Sequence, residues 1–270
     1  MRLKEWVEKN RDYFLRSDLA YLINLLFHKD MVRVYVDDYF LNAEQLDKLN
    51  YLKSLYIKGI PLAYLLGQEE FYGFTFQVNF STLIPRKDTE VIVEKALELI
   101  KIKKLSFILD LCCGSANIAV SIAKYVENYV KIFASDISEN SLEIGKVNIE
   151  HHRVPVKLIR ADLLAGFKEN VFDLIISNPP YVESKYIKDS LDYEPRIALD
   201  GGADGLKFIR RILNEAWRYL KNERFIIVEF GYRQRGKIEE FLKRVGKYFV
   251  EEWIKDYSSK WRGVILKVNK

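Results

Sequence analysis

One segment of the sequence, residues 178–181, carries groups that could hold a nitrogen atom for a chemical reaction. It reads Asn-Pro-Pro-Tyr and directly follows the apolar run Phe172–Ser177. Because proline restricts its backbone and has no N–H, the Pro179 carbonyl projects in a set direction, beside the side-chain carbonyl of Asn178. Two such acceptors could bind both N–H groups of an amide or aromatic amine and direct the nitrogen lone pair at a methyl donor. The plainer interpretation of this tetrapeptide is a Pro-Pro turn that ends a strand.

Polar residues also follow three other apolar runs, where the carboxyl ends of parallel strands would form a ligand site. The first run leads into a loop, 112–117, in which Gly114 is the only glycine. A pyrophosphate normally needs a glycine-rich loop, so a dinucleotide fits poorly, whereas S-adenosylmethionine contains no phosphate. Asp136, 22 residues after Gly114, could accept both ribose hydroxyls, and Asp162 could accept the adenine amino group. Taken singly, each aspartate could instead be a helix cap.

The elements that must position these residues follow from hydrophobic periodicity. In the first 70 residues, the spacing of Leu19, Leu22 and Leu26 predicts a helix. Alternating aromatic residues from Phe74 to Phe80 predict a β-hairpin. In the remainder of the chain, short apolar runs alternate with helical patterns, which predicts an α/β fold with a mostly parallel sheet. The predicted strands are 107–111, 130–135, 156–159, 172–177, 225–230, 249–254 and 263–268, and the last two should form an antiparallel hairpin.

Composition argues against several other classes of protein. The N-terminus has no apolar signal segment, and the longest uncharged apolar stretch is far shorter than the about 20 residues that span a bilayer. The only two cysteines are adjacent and there are three histidines, so the sequence offers no ligand set for a metal. A net charge of +5 is compatible with an anionic partner but does not require one. We expect a cytoplasmic protein without a metal, and a monomer because no long apolar heptad pattern is present.

Four further segments are residues 61–67 (PLAYLLG), 70–73 (EFYG), 83–90 (LIPRKDTE) and 193–202 (YEPRIALDGG). Together with Asn-Pro-Pro-Tyr at 178–181, these segments resemble the HemK/PrmC family of peptide chain release factor glutamine methyltransferases. The resemblance implies methyl transfer from S-adenosylmethionine to the glutamine N5 of the Gly-Gly-Gln motif in class I release factors. It also implies a helical substrate-docking domain at 1–70, a β-hairpin linker at 71–86 and a Rossmann-like class I methyltransferase domain at 87–270. The sheet of that domain should be mostly parallel, with seven strands and an antiparallel C-terminal strand.

The resemblance also implies roles for individual residues. Asn178, Pro179 and Tyr181 are the expected catalytic residues: the first two would hold the acceptor amide, and Tyr181 would wall its pocket. The residues expected to bind the substrate are Asn178, Pro179, Pro180, Tyr181, Arg86, Glu90 and Arg196, beside the Gly201-Gly202 turn. The residues expected to bind the cofactor are Asp110, Cys112, Cys113, Gly114, Ser115, Ala116, Asp136, Ile137, Asp162, Leu163 and Asn178.

The sequence departs from the family pattern at a few of these positions. Cys112 and Ala116 stand where the family usually has glycine. Because side chains are strained in the left-handed backbone region, we expect Gly114 alone to adopt it. Leu163 occupies a position where some relatives have an aromatic ring, and Lys87-Asp88 replaces Pro-Glu.

Three alternative functions are left open by the sequence. A ribosomal-protein glutamine methyltransferase would share the reactive tetrapeptide, although the segment 86–90 favours a release factor. A DNA or RNA amino-methyltransferase would need clustered basic and aromatic residues, of which only a short run occurs near 255–262. We therefore expect no nucleic-acid requirement. A catalytically silent cofactor-binding protein is disfavoured by the intact tetrapeptide.

Overall fold

Apolar residues at helical spacing fold the N-terminal part of the chain into short helices. This computed structural model describes residues 1–187 and 193–270, and the chain divides into a helical unit, residues 1–67, and a sheet unit, residues 68–270. The helices of the helical unit are α1 (Leu3–Asn10), α2 (Arg16–Phe27), α3 (Met31–Val36), α4 (Ala43–Ile57) and α5 (Leu62–Leu66).

Local sequence explains where the longest helix of this unit begins. The side chain of Asn42 accepts a hydrogen bond from the backbone N–H of Gln45 at 2.8 Å, and the Gln45 side chain accepts one from the backbone N–H of Asn42 at 3.1 Å. This reciprocal capping box satisfies two donors that the first turn of α4 leaves unpaired. The helices enclose a core of their own, with Trp6 and Leu22 fully buried in it.

The sheet unit alternates strands and helices, as predicted. Its strands are β1 (Gln68–Phe71), β2 (Phe74–Gln77), β3 (Phe107–Leu111), β4 (Lys131–Asp136), β5 (Val156–Arg160), β6 (Phe172–Ser177), β7 (Leu220–Glu229), β8 (Tyr248–Lys255) and β9 (Trp261–Val268). Its helices are α6 (Glu90–Lys103), α7 (Asn117–Ala123), α8 (Glu139–His152), α9 (Arg196–Leu199), α10 (Lys207–Tyr219) and α11 (Arg235–Val245). The bounds of β3 and β6 match the prediction, whereas β7 begins five residues earlier, since Leu220 already pairs with Phe172.

Strand order places the ligand site. The seven-stranded sheet has the order β5-β4-β3-β6-β7-β9-β8, in which only the pairings made by β9 are antiparallel. The order therefore confirms the predicted mostly parallel sheet with an antiparallel C-terminal strand. The chain winds outward from β3 in one direction and from β6 in the other, so the crevice beyond their carboxyl ends is the switch point at which such folds bind ligands.

Two apolar cores cover the two faces of this sheet. Along β6, Leu174 and Ile176 join the core with α6 and α7, while Ile175 joins the core with α10 and α11. Because successive strand residues point to opposite faces, a strand buried on both faces is apolar at most of its positions. Within the part of the chain that the structure describes, no helix is long and apolar enough to cross a membrane.

The hairpin differs from its prediction in position. It spans 68–77 instead of 71–86, and it belongs to the sheet unit. Tyr72 and Gly73 form its turn with φ of 51° and 76°, both in the left-handed region that a two-residue hairpin loop requires. Phe71 and Phe76 are buried in the same core as α6, which explains why the hairpin is part of this unit. Phe80, predicted to continue the alternation, is exposed beyond the end of β2.

Candidate active site

The carboxyl ends of β3, β4 and β6 open into a cavity of about 300 Å³ in the sheet unit. The predicted site residues that line it are Arg86, Cys112, Cys113, Gly114, Ser115, Asp136, Ile137, Asp162, Leu163, Asn178 and Pro180. The predicted residues that do not line it are Glu90, Asp110, Ala116, Pro179, Tyr181 and Arg196. The fold thus brings residues from strand ends that are far apart in sequence around one cavity. Several other residues that were predicted to contact a ligand do not line it.

The loop after β3, residues 112–116 and termed here the β3 loop, has an unexpected backbone. Cys112, Gly114 and Ala116 have φ of 64°, 52° and 60°, so the expectation that Gly114 alone is left-handed is wrong. The loop keeps the shape of a glycine-rich turn although two of its three left-handed positions carry a Cβ. Each such residue costs roughly 1–2 kcal/mol, which the surrounding contacts must offset.

Those contacts come from the neighbouring strand end. The backbone N–H of Cys113 donates to the Ser135 carbonyl at 3.0 Å, and the N–H of Gly114 donates to the Asp136 carboxylate at 2.9 Å. The second oxygen of Asp136 accepts from the backbone N–H of Ser138 at 2.9 Å. Asp136 therefore supports the β3 loop directly, and its carboxylate also faces the cavity where the ribose contact is predicted.

Asp110, predicted to bind the cofactor, is buried at the end of β3 and does not line the cavity. Its side chain is buried, with Oδ2 accepting from the backbone N–H of Ala119 in the first turn of α7 at 3.0 Å. Its Oδ1 is buried without a hydrogen-bond partner among the described residues. Burial raises the pKa of Asp110 to about 7, and the neighbouring Asp136 adds to the shift. Asp110 therefore connects the end of β3 to the first turn of α7.

The two cysteines are packing residues. Cys113 is buried and Cys112 is half-buried at the cavity wall. Burial raises the pKa of both thiols, and the carboxylates of Asp110 and Asp136 add to this effect. A thiol with a raised pKa is a weak nucleophile, so the site gives no support to cysteine chemistry.

At the far side of the cavity, Asp162 has a partner that the sequence did not reveal. Both its oxygens accept from Arg211 of α10, at 3.0 and 3.2 Å. Leu163 lines the cavity with φ of 49°, and Phe208, also of α10, lines it too. The guanidinium carbon of Arg211 lies 5.9 Å from the centre of the Phe208 ring. An aromatic wall is thus present, but a helix provides it and not position 163.

In the tetrapeptide, Asn178 lines the cavity and its amide orientation is set by one contact. The Asn178 Nδ2 donates to the hydroxyl oxygen of Thr89 at 3.3 Å, which directs the amide oxygen away from Thr89 and leaves it to accept from another group. Pro180 lines the cavity beside it, whereas Pro179 does not.

Tyr181 points away from the cavity that it was expected to wall. Its hydroxyl donates to Oε1 of the buried Glu229 at 3.1 Å, and burial raises its pKa. A buried phenol needs a hydrogen-bond partner, and Glu229 at the end of β7 supplies it. Tyr181 therefore anchors the tetrapeptide to the next strand.

The backbone of Tyr181 is held by close glycine contacts. Its carbonyl accepts from the side chain of Gln234 at 2.9 Å. A Cβ on Gly205 would lie 2.4 Å from that carbonyl oxygen, and one on Gly201 would lie 2.8 Å from the Tyr181 Cα. The Gly201 N–H donates to the carbonyl of Val182 at 2.8 Å. The turn predicted to shape the substrate side thus packs against the tetrapeptide itself.

Of the other three residues predicted to bind the substrate, one lines the cavity and two do not. Arg86 lines the cavity and forms an ion pair with the buried Glu194, which also accepts from the backbone N–H of Ile84 at 3.1 Å. This brings two of the segments that carry the family resemblance into contact. Glu90 accepts instead from the backbone N–H of Tyr72 in the hairpin at 2.9 Å, and Arg196 is an exposed partner of Asp200.

The chain is similar to glutamine methyltransferases over most of their length. The chain is 33% identical to the release factor glutamine methyltransferase of Clostridium acetobutylicum over 254 residues, covering 91% of this chain and 89% of that enzyme. It is 37% identical to the enzyme of the same name from Clostridium botulinum, covering 85% and 84% of the two chains. The chain belongs to the release factor glutamine methyltransferase family. Within it, residues 87–194 match the family model described as the methyltransferase small domain.

Solved structures place the fold of this family member among methyltransferases. A methyltransferase from Pyrococcus furiosus is similar with a TM-score of 0.54 at 20% identity, covering 84% of this chain and 98% of that chain. The ribosomal protein L11 methylase of Lactobacillus delbrueckii subsp. bulgaricus is similar with a TM-score of 0.52 at 18% identity, covering 70% and 82%. At these identities the likeness shows the fold alone.

Several residues of the site were missed at the level of sequence. Thr89 lies within the segment 83–90 and Glu194 within the segment 193–202, both of which carry the family resemblance. A polar residue inside a recognised segment was the available signal for both. Phe208 and Arg211 lie in the first turns of an amphipathic helix, and nothing in their spacing marks them as cavity residues.

Proposed function

We propose that the protein transfers a methyl group from S-adenosylmethionine to the side-chain nitrogen of the glutamine in the Gly-Gly-Gln motif of class I release factors. The observation that carries the proposal is the fixed amide of Asn178. Its NH₂ group donates one hydrogen bond to Thr89, and this orientation leaves its oxygen available to accept an N–H from a substrate at the cavity. The proposal agrees with the names of the family members that the chain resembles over most of its length.

The chemistry requires acceptors more than it requires a base. An amide nitrogen is a poor nucleophile because its lone pair is delocalised into the carbonyl group. The Asn178 side-chain oxygen would hold one of its N–H groups at the cavity and favour a pyramidal nitrogen with a directed lone pair. The family resemblance gives the other N–H group to the carbonyl of Pro179, which follows Asn178 but does not itself line the cavity. When bound, S-adenosylmethionine supplies a methyl group on a positively charged sulfur, so orientation by these residues provides most of the catalysis.

The residues around the cavity fit this cofactor. The Asp136 carboxylate lines the cavity and can accept from a ribose. Phe208 and Leu163 offer apolar contact to a purine ring. A cavity of about 300 Å³ is at the lower end of the size range of small-molecule sites.

We assign docking of the release factor to the helical unit. Its α3 exposes Val32 and Val36 with 72% and 76% of their surfaces accessible, and the neighbouring Tyr35 is 45% exposed. Grouped apolar residues on a surface are typical of protein interaction sites. The double substitution Val32→Ser, Val36→Ser is expected to raise KM for an intact release factor while leaving transfer to a short Gly-Gly-Gln peptide unchanged. An unchanged KM for the intact factor would remove α3 from the docking surface.

The nucleic-acid alternative has one feature in its favour, the aromatic and basic residues at the ends of β8 and β9. Their aromatic faces are already covered by cations of the chain: Arg235 lies 4.0 Å from the Trp261 ring centre, and Lys255 lies 4.6 Å from it. Base stacking would have to displace these contacts, so the surface is a poor stacking platform.

Methyl transfer from labelled S-adenosylmethionine tests the function directly. The purified protein is expected to label a class I release factor on the glutamine of its Gly-Gly-Gln motif, identified by mass spectrometry, and not a factor with that glutamine changed to alanine. Ribosomal protein and adenine-bearing DNA serve as parallel acceptors. Labelling of either in place of the release factor would replace the proposed substrate, and cofactor binding without transfer to any of them would favour a silent binding protein.

A further inference from the structure

The buried face of helix α8 presents small and polar residues where a packed helix normally presents apolar ones. Ser141, Gly145 and Asn148 lie on one face at helical spacing, and all three are buried. Glycine and asparagine both disfavour the interior of a helix, so the contacts of this face must favour them. A Cβ on Gly145 would lie 3.4 Å from the Cβ of Ala116, and the missing side chain lets α8 pack closely against the β3 loop.

Asn148 binds the backbones of two segments that are far apart in the chain. In the hairpin, its Oδ1 accepts from the Gln77 N–H at 2.7 Å and its Nδ2 donates to the Gln77 carbonyl at 3.0 Å. In the β3 loop, the same Nδ2 donates to the Ser115 carbonyl at 2.9 Å. The Asn148 side chain is fully buried, so water does not compete for these bonds. Asn148 therefore joins the end of the hairpin to a loop that lines the cavity.

The bond to Ser115 holds one particular peptide group of the β3 loop. The carbonyl of the peptide between Ser115 and Ala116 is bound by Asn148, and the N–H of that peptide donates to the Cys113 carbonyl at 2.7 Å. This peptide directly precedes the Cα of Ala116, whose φ of 60° is strained for a residue with a Cβ. Turning the peptide would relieve the strain with little other movement. Asn148 opposes this turn, because the buried Ser115 carbonyl would lose its partner.

We propose that Asn148 is a positioning residue for the cofactor: by holding the Ser115 carbonyl, it keeps the β3 loop in the conformation that binds S-adenosylmethionine and ties that conformation to the hairpin. The inference rests on the proposed function, in which the β3 loop lies against this cofactor. Without the bond, the loop has its binding conformation for only part of the time, and the apparent dissociation constant rises by the inverse of that fraction. Bound cofactor orders the loop again, so the rate of methyl transfer at saturating cofactor stays near the parental value.

Calorimetry with S-adenosylhomocysteine, beside single-turnover transfer to a Gly-Gly-Gln peptide at saturating cofactor, gives the first test. Asn148→Leu keeps nearly the same side-chain shape without the hydrogen bonds, and it should weaken binding by about 10–100-fold because a buried carbonyl loses its partner. The control is His152→Phe: His152, one turn later on α8, donates to the Thr75 carbonyl of the same hairpin at 2.8 Å, and among the described residues no hydrogen bond joins it to the β3 loop. Both variants should unfold at a lower temperature than the parent, but only Asn148→Leu should lose affinity. Parental affinity in Asn148→Leu would overturn the positioning role.

Ala116→Gly gives a readout that a purely structural role of Asn148 would not change. Glycine adopts the left-handed region without strain, so adding Ala116→Gly to Asn148→Leu should recover affinity by about fivefold or more. In the parent the same substitution should have a smaller effect, because Asn148 already holds the loop. Equal effects of Ala116→Gly in the two backgrounds would show that Asn148 does not act through this peptide.

Hydrogen exchange in the parent protein, followed by NMR, needs no variant. Saturating S-adenosylhomocysteine should slow the exchange of the Gln77 N–H, which is released only when Asn148 moves. The Tyr72 N–H donates to the Glu90 carboxylate at the turn of the same hairpin, and its exchange should slow much less. Equal slowing at both positions, or none at Gln77, would overturn the link between the hairpin and the β3 loop. A parent that shows the slowing but transfers no methyl to the peptide would overturn the proposed function alone, whereas a parent without affinity for S-adenosylhomocysteine would overturn both.

Discussion

The β3 loop and the tetrapeptide lie at the ends of adjacent strands, yet the chain holds them in different ways. The β3 loop is held by its own backbone and by the neighbouring strand end, through Cys113 with Ser135 and Gly114 with Asp136. The tetrapeptide is held by side chains from distant segments: Thr89 precedes it by 89 residues, Glu229 is 48 residues from Tyr181, and Gln234 is 53 residues from it.

The two regions also place their strain and their charge differently. In the β3 loop, strain lies in the left-handed φ of Cys112 and Ala116, and the buried carboxyl behind it, Asp110, bonds to a helix N–H nine residues away. Behind the tetrapeptide, the buried carboxyl is Glu229, and it accepts from a side-chain hydroxyl, that of Tyr181. A region shaped by backbone tolerates changes of side chain, whereas a region shaped by side-chain contacts depends on each of them.

Asn178→Ala should lower the rate of methyl transfer by about 10²–10³, the usual loss on removing one preorganised hydrogen-bonding group from a desolvated site. Cofactor affinity should hardly change, because this oxygen faces the substrate. Single-turnover kinetics at saturating cofactor, with calorimetry of cofactor binding, measures both quantities. Transfer at the parental rate would show that Asn178 is not an acceptor for the substrate.

Gly205→Ala should lower the free energy of unfolding by about 2–4 kcal/mol, because it adds left-handed strain to a clash with the Tyr181 carbonyl. Gly114→Ala in the β3 loop is the matched control, since its φ is also positive but no atom lies within 4 Å of the added Cβ. It should cost only about 1 kcal/mol. Urea unfolding without added cofactor compares them, and equal losses would contradict the difference drawn between the two regions.

Asp136→Ala should weaken cofactor binding by about 1–3 kcal/mol through lost hydrogen bonds. It is the counterpart of Asn178→Ala: affinity falls, while the transfer rate at saturating cofactor stays near the parental value. Isothermal calorimetry measures the affinity, and thermal unfolding checks that the β3 loop has kept its fold. Unchanged affinity would remove Asp136 from the cofactor site.

The two buried carboxyls should make stability fall as pH rises. Both Asp110 and Glu229 have a folded pKa of about 7, above their ordinary values of 3.8 and 4.5. The folded state therefore binds more protons between about pH 4 and 7, and each group removes up to about 1.4 kcal/mol per pH unit across that window. His152, whose pKa is lowered, acts in the opposite sense near pH 6.5. Asp110→Asn and Glu229→Gln should each flatten the slope relative to the parent, and an unflattened slope in either variant would mean that its carboxyl is ionised throughout.

Ala116→Gly should raise the free energy of unfolding slightly, by less than about 1 kcal/mol, because relief of left-handed strain is partly offset by a more flexible unfolded chain. Ala119→Gly, three residues later inside α7, should lower it by about 1 kcal/mol, since glycine disfavours a helix interior. Opposite signs in denaturant unfolding would confirm that strain lies in the loop. A loss at position 116 as large as that at 119 would mean that the surrounding contacts have removed the strain.

The amino-acid sequence by itself determined the fold class, the polar residues that follow the strands, and the reactive tetrapeptide. Short, mainly apolar runs identified β3 and β6 to the residue, because a strand that is buried on both faces is apolar at most of its positions. Motifs such as residues 178–181 and the polar strand ends are contiguous in the chain, so spacing alone shows them. The predicted hairpin lay too far along the chain because aromatic alternation continues past the end of β2 to Phe80, which is exposed.

Only the tertiary structure decided which residues support the site. The pairing of Thr89 with Asn178, of Glu229 with Tyr181, and of Arg211 with Asp162 joins segments 48 to 89 residues apart, and no local pattern encodes such a contact. The left-handed backbone at Cys112 and Ala116 also contradicted residue preference, since hydrogen bonds from β4 and the start of α7 outweigh a local strain of roughly 1–2 kcal/mol per residue. Local sequence determines which backbone conformation a segment prefers, and the contacts of the packed sheet determine which conformation it adopts.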